Sequence, residues 1–300
     1  MMQFQKATKT QARLRLALDG PSGSGKTYTM LRVATALGAR VAVIDTERGS
    51  ASKYADEFNF DALNLDSFHP QTYIDAIHAA EASGYDVLGI DSLSHAWFGR
   101  EGALELVDHE TKKSKSGNSF TAWREVTPLH NALVDAMMRS NLHVIATMRT
   151  KTEYALSTNE RGQIVPKKIG TAPVQRDGME YEFDVVGDMD LEHNLIIAKT
   201  RCRALDGKMI AKPGAELADT LKKWLTDGAP VPPQVNRAQR IELLRAFRKT
   251  EADLLAKRGE KQNPIDAQRV KEMTDEEIET LITRTQNNIV DLKAAQESVF

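Results

Sequence analysis

The sequence predicts an α/β fold: a mostly parallel central sheet covered by helices, an antiparallel hairpin at one sheet edge, and a helical tail at the carboxyl end. Three observations predict it. Up to about residue 226, short apolar runs alternate with amphipathic stretches, the pattern of mostly parallel strands covered by helices. A glycine-rich run, GPSGSGKT at 20–27, links the first strand pattern to the first helix pattern, so the chain opens as a βαβ unit with a right-handed crossover. The stretch EYEFDVVGDMDLEHNLIIAKTRC at 180–202 reads as two extended runs joined by a turn near Asp188–His193, an antiparallel hairpin for one sheet edge.

Each element follows from its own pattern. Candidate strands are Leu14–Leu18, Val41–Asp45, Val87–Asp91 and Val144–Met148, with helical patterns near 26–37, 71–83, 122–139 and 214–226. The segment DGAPVPPQVN (227–236) cannot continue a helix through Pro230, Pro232 and Pro233 and reads as a linker. Beyond it, 237–300 is helical. Ile241, Leu244, Phe247 and Leu254 recur on one face, and Thr274 with Glu277 forms a capping box ahead of Ile278, Leu281, Ile282, Ile289 and Leu292. The predicted organisation is a core at 1–226, a linker at 227–236 and a helical region at 237–300. Residues 237–271 carry ten basic and five acidic side chains, whereas 272–300 carry two and seven. Two solvated faces that attract one another, or a basic helix that contacts DNA, both fit that split.

Composition excludes several classes. With 41% hydrophobic and 27% charged residues the chain has the make-up of a globular protein. No run approaches the ~18 apolar residues of a spanning helix, and MMQFQKATKT lacks the apolar region of a signal peptide, so no membrane partner is expected and the cytoplasm is the expected location. Cys202, the single cysteine, excludes an intramolecular disulfide, and the seven histidines show no zinc-binding spacing. A net charge of −2 means that any contact with nucleic acid must come from local patches.

GPSGSGKT matches G-x-x-x-x-G-K-[ST] without deviation and stands between a strand and a helix, as a phosphate-binding loop requires. Gly20, Gly23 and Gly25 let the backbone curl so that its N–H groups face phosphate oxygens at the positive end of the next helix. Lys26 is placed to reach the β and γ phosphates of ATP and the Thr27 hydroxyl to ligate Mg2+; Ser24 and Tyr28 complete the candidate nucleotide-binding set. The apolar strand YDVLGIDS (85–92) ends in Asp91, a candidate second magnesium group, with Ser92 beside it. VAVIDTERG (41–49) ends in Glu47 at a strand tip that opens on the same crevice, where a carboxylate can activate the water that attacks the γ-phosphate. An exposed loop acid neutralised by Arg48 is the alternative.

Taken together, GPSGSGKT, VAVIDTERGSASKYA and YDVLGIDS resemble the ATPase core of the RecA family, a core that hexameric helicases of the DnaB type share. The resemblance implies Lys26 and Thr27 as phosphate and magnesium residues, Asp91 as the second magnesium acid and Glu47 as the catalytic base. NLHVIATMRTK (141–151) is similar to the strand that ends, in RecA, with a γ-phosphate-sensing glutamine; Thr147 stands in its place. LIIAKTRCR (195–203) resembles the strand whose two basic residues, in RecA filaments, reach the neighbouring subunit's ATP. Lys199 and Arg201 match its alternate spacing, which implies a homo-oligomer with ATP at the subunit interface and these two cations acting in trans. By residue type alone, a basic strand edge that discourages aggregation also fits.

Two long polar stretches, 109–120 and about 150–178, fall where RecA-like proteins carry DNA-binding loops. The first offers Lys112, Lys113, Lys115 and Phe120, the second Lys151, Arg161, Lys167, Lys168 and Arg176. Cations with an occasional aromatic suit single-stranded DNA. Across residues 1 to about 226, including SGNSFTAWREVTPLHNAL and APVQRDGMEYEFDVVGD, the chain resembles bacteriophage and prophage RecA-like ATPases, some of which act in recombination or single-strand annealing. The expectation is a Mg2+-dependent, DNA-stimulated ATPase in a bacterial host cytoplasm, acting on single-stranded DNA beside a single-strand-binding protein. A hexameric helicase motor and a nucleotide-switched scaffold remain the rival readings.

Overall fold

A computed structural model of the chain describes residues 8–113, 118–158, 164–229, 237–263, 269–270, 273 and 275–297. The chain divides into two compact units, Met1–Pro230 and Val231–Phe300. The first is built on strands β1 (Arg15–Gly20), β2 (Val41–Asp45), β3 (Asp61–Asn64), β4 (Val87–Asp91), β5 (His143–Thr158), β6 (Ile164–Pro173), β7 (Val185–Met189), β8 (Asn194–Thr200) and β9 (Met209–Ala211). Among the described residues the sheet order is β3-β2-β4-β5-β1-β7-β8-β9, with β6 paired to the far half of β5. From β3 to β7 all neighbours are parallel; β8 and β9 join antiparallel at the edge, as the hairpin pattern predicts.

Helices cover both faces of β1, β2 and β4, which is why those strands are buried and largely apolar, whereas the edge strand β3 is exposed. On β1, Leu16 and Leu18 pack with α1 (Lys26–Leu37) and α6 (Ala215–Thr226), through Met30, Leu31, Leu217 and Leu221. Ala17 between them belongs to the opposite core, with Tyr73 and Ile77 of α2 (Pro70–Ala82) and Leu133 and Met137 of α5 (Ser119–Arg139). Two short helices, α3 (His95–Phe98) and α4 (Ala103–Lys113), precede α5.

Two predicted loops differ from expectation. Residues 150–158 and 164–173 are not loop: β5 runs on past the sheet and pairs antiparallel with β6, from Thr150↔Pro173 to Thr158↔Ile164. Pro166, Gly170 and Pro173 read as breakers, but a ribbon beyond the sheet tolerates residues that a central strand would not. Lys151 stands at its foot, and Lys167 and Lys168 lie on β6 opposite Ala155 and Tyr154. In the 109–120 stretch, Lys112 and Lys113 belong to the last turn of α4, where cations complement the helix dipole. Lys115 and Arg161, most of the proline-rich linker and Thr274 lie outside the described residues. Trp97 and Trp123 stack on each other at 5.5 Å over Ala103, Val107, Ala122 and Val126.

Arg15 pins the amino-terminal end of the sheet. Its side chain is buried and donates to the carbonyls of Leu14 (2.9 Å), Leu142 (2.8 Å), Met138 (3.0 Å) and Ser140. Burial lowers its pKa to about 10, so the guanidinium stays charged at neutral pH and satisfies the open end of α5.

In the second unit, α7 (Arg237–Lys257) and α8 (Asp275–Glu297) pack through Leu244, Ile278 and Ile282. No helix among the described residues is long and apolar enough to cross a membrane.

Replacing Arg15 leaves several buried carbonyls unsatisfied. Arg15→Ala is expected to cost about 3 kcal/mol or more of stability, measured as a shifted denaturant midpoint at neutral pH.

Candidate active site

The site forms at the carboxyl ends of β1, β2 and β4 and midway along β5, where that strand leaves the sheet. Gly25 caps α1 with φ 85° and Gly23 has φ 82°. A Cβ on Gly25 would meet the His193 ring at 2.9 Å, so both backbone and space call for glycine. Such a loop at the start of a 12-residue helix turns N–H groups and the positive dipole end toward one point, a seat for phosphate. The Ser24 hydroxyl donates to the Pro21 carbonyl at 2.9 Å and so shapes the loop from within. Lys26 lies against the carbonyls of Gly20 and Pro21, both at 2.8 Å, and burial lowers its pKa.

Thr27 and Asp91 meet: the hydroxyl donates to Asp91 Oδ2 at 2.6 Å. Thr147 donates to Asp91 Oδ1 at 2.5 Å, because β5 lies between β4 and β1. Burial raises the Asp91 pKa, and the two hydroxyl bonds work against that rise. Oxygen donors of this kind, one hydroxyl beside one carboxylate, fit Mg2+ bound mainly through phosphates and water. No group of three or more His, Cys, Asp or Glu side chains that could hold a metal occurs among the described residues.

Glu47 is held in place from two sides. Asp45, buried at the tip of β2, accepts from the Glu47 N–H at 2.7 Å and the Ala51 N–H at 2.9 Å, and Arg48 with φ 57° and Gly49 with φ 78° complete the turn. The carboxylate then accepts from Arg149 Nε at 3.0 Å and Nη2 at 2.8 Å. Its partner is therefore Arg149 of β5 and not the adjacent Arg48. Thr46 joins the tips of β2 and β4: its Oγ accepts from Ser92 N–H at 2.7 Å and lies 2.7 Å from His95 Nδ1. Ser92 is fully buried in this joint, and His95 stacks on Phe68 at 4.9 Å with its pKa lowered by burial.

One cavity of about 910 Å³ collects Gly20, Gly23, Gly25, Lys26, Thr27, Tyr28, Glu47 and Asp91. Arg149, Arg32, His193 and Lys212 also line it, and the sequence singled out none of them as a site residue. Only the pairing of β5 between β4 and β1 sets Arg149 across from Glu47, and only the edge hairpin sets the His193 ring 3.1 Å from the Ser24 carbonyl. Lys199 and Arg201 stand elsewhere. β8 runs antiparallel, so they fall at the amino-terminal end of β7, away from the chain's own phosphate loop. Lys199 donates to the carbonyls of Glu180, Tyr181 and Phe183, and Arg201 pairs with Asp184 at 2.7 Å. Arg176 donates to Asn131 at 2.9 Å, at the foot of the ribbon.

Residues 12–225 match the AAA domain family, well over half of the chain. The chain belongs to this family. Its AAA domain begins just ahead of β1 and ends in α6, so the match spans the sheet and every helix that covers it. An AAA domain is a nucleotide-binding domain of the ATPase type, and the P-loop at 20–27 falls within the matched residues. No curated protein matches the chain.

Beneath the AAA domain's P-loop, Asp19 is buried with Oδ1 unpartnered. Burial and the neighbouring Asp188 push its pKa up to about 8. The folded chain thus keeps a proton that the unfolded chain loses near pH 4. The stability this gives is complete below about pH 4 and is lost as pH rises through about 8. Asp19→Asn, neutral throughout, is expected to gain on the parent by up to about 1.4 kcal/mol per pH unit across that window. Thermal denaturation at several pH values measures it; a difference that does not grow with pH would contradict the assignment.

Proposed function

We propose that the protein hydrolyses ATP with Mg2+ and uses its nucleotide state to govern a grip on single-stranded DNA, in recombination or annealing of the phage type. The observation that carries this reading is the course of one strand. β5 holds Thr147 on Asp91 and Arg149 on Glu47, then leaves the sheet as the basic ribbon with Lys151, Lys167 and Lys168. The tip of the α4–α5 pair supports the same reading. His130 of α5 lies 3.2 Å from Gln175, and Val174 N–H donates to the Arg149 carbonyl, so residues 119–129 extend past the carboxyl end of the sheet. Lys112, Lys113 and the 83% exposed Phe120 therefore stand on the same end as the ribbon.

Thr27 and Asp91 would hold Mg2+, which would supply charge neutralisation to the phosphates, and Lys26 with the loop amides would hold the phosphates themselves. Glu47 takes the proton of the attacking water once Arg149 exchanges its carboxylate for phosphate oxygens. The exchange is cheap, since a pair with side chains 28% and 43% exposed is worth roughly 1 kcal/mol or less. Lys199 and Arg201, remote from their own P-loop, suit action on a neighbouring subunit's ATP in a homo-oligomer, with a single-strand-binding protein as a further partner.

Glu47→Gln is expected to keep ATP binding while turnover falls at least ~100-fold. Steady-state hydrolysis at fixed low salt, with and without single-stranded DNA, is the deciding measurement. Stimulation by DNA that Lys167→Ala/Lys168→Ala removes supports the reading; equal rates with and without DNA replace it with a nucleotide-switched assembly. Mixing a subunit lacking Lys199 and Arg201 with one lacking Glu47 is expected to restore part of the activity, and no restoration at any ratio would argue against an interfacial site.

A further inference from the structure

The carboxyl-terminal unit contains a cleft of about 630 Å³ between α7 and α8, within the range of ligand sites. Its charged lining is Arg248, Arg258, Lys261 and Arg284 against Glu251 and Asp291. The buried acid is already satisfied: Glu251 accepts from Gln262 at 2.5 Å, Asn288 at 2.7 Å and Arg248 at 3.4 Å. Arg248 is occupied as well, since it also donates to the Asn263 carbonyl. This network fixes the floor of the cleft, and around it Arg258, Lys261 and Arg284 outnumber the one exposed acid of the lining, Asp291. Arg258 holds only an exposed ion pair with Glu260 at 3.5 Å. Lys261 and Arg284 are exposed, and neither bonds to any described residue.

We infer that this cleft binds the phosphodiester backbone of nucleic acid, a contact separate from the ribbon and from the ATP site. Exposed cations around a fixed, neutralised floor attract phosphate, and each counterion they release on binding makes affinity depend on salt. No aromatic residue lines the cleft among the described residues, so bases find no stacking surface there and the contact is blind to sequence.

The test uses the full chain without nucleotide or Mg2+, titrated into a fluorescein-labelled mixed-sequence single strand across a salt series. Lys261→Gln/Arg284→Gln is expected to bind at least about tenfold more weakly at low salt. Its log–log salt slope should be smaller by about 1.4, at about 0.7 per lost cation. Lys261→Arg/Arg284→Lys should keep the parent slope, which separates charge from misfolding, and hydrolysis without DNA should be unchanged in both variants. Unchanged affinity and slope in the glutamine variant would overturn the inference, as would equal loss in the charge-conserving one. Tripolyphosphate that displaces DNA from the parent at equal phosphate concentration, but not from the glutamine variant, would assign the cleft to free phosphate instead. Because Lys167→Ala/Lys168→Ala is measured alongside, failure of the ribbon and failure of the cleft give different patterns.

Discussion

The buried carboxylate of Asp91 joins elements that the chain order keeps apart. β4 and β1 are not neighbours; β5 lies between them, and Thr147 of β5 and Thr27 of α1 both donate to the same carboxylate. An ionised acid taken out of water is costly unless each oxygen is hydrogen-bonded. The two hydroxyls meet that requirement, so the positions of the P-loop helix, the β4 tip and β5 depend on one another. Any ion held by Thr27 and Asp91 would act on all three.

A contrast in strength runs through the AAA domain. At the amino-terminal end of the sheet, buried Arg15 satisfies several carbonyls at once, and loss of that group is expensive. At the carboxyl end, Glu47 and Arg149 form a half-exposed pair that water and ligands can exchange. The scaffold is therefore rigid where it carries no chemistry and loosely latched where it does. The tight joint of Thr46 with Ser92 and His95 keeps the β2 tip in register with β4 while leaving the Glu47 carboxylate free to change partners.

The strand that bears Arg149 continues directly into the β5–β6 ribbon, and Val174 at the ribbon's return bonds back to the Arg149 carbonyl. A change of partner at Arg149 therefore acts on backbone shared with the ribbon. Coupling through a hydrogen-bonded strand needs no long chain of intermediates, and its strength is a matter of how differently Arg149 is held in the two states.

The sequence by itself determined the phosphate loop, the acids at the ends of β2 and β4, and the α/β architecture. Those features are local: a loop of closely spaced glycines, a lysine and a threonine acts through its own backbone, and strands buried on both faces must be apolar up to their tips. β2 and β4 accordingly span the residues that the apolar runs mark. The ribbon was not legible, because strands outside the core carry no burial pattern, and Pro166, Gly170 and Pro173 look like loop residues wherever pairing is unknown. Tertiary structure alone decided the partner of Glu47. Arg149 lies 102 residues away, and although its stretch was marked, with Thr147 two positions earlier, nothing local links it to Glu47; only the order of β2, β4 and β5 in the sheet brings the two charges together. Strand order is set by how helices and strands fill both cores at once, a property of the whole chain and not of any segment.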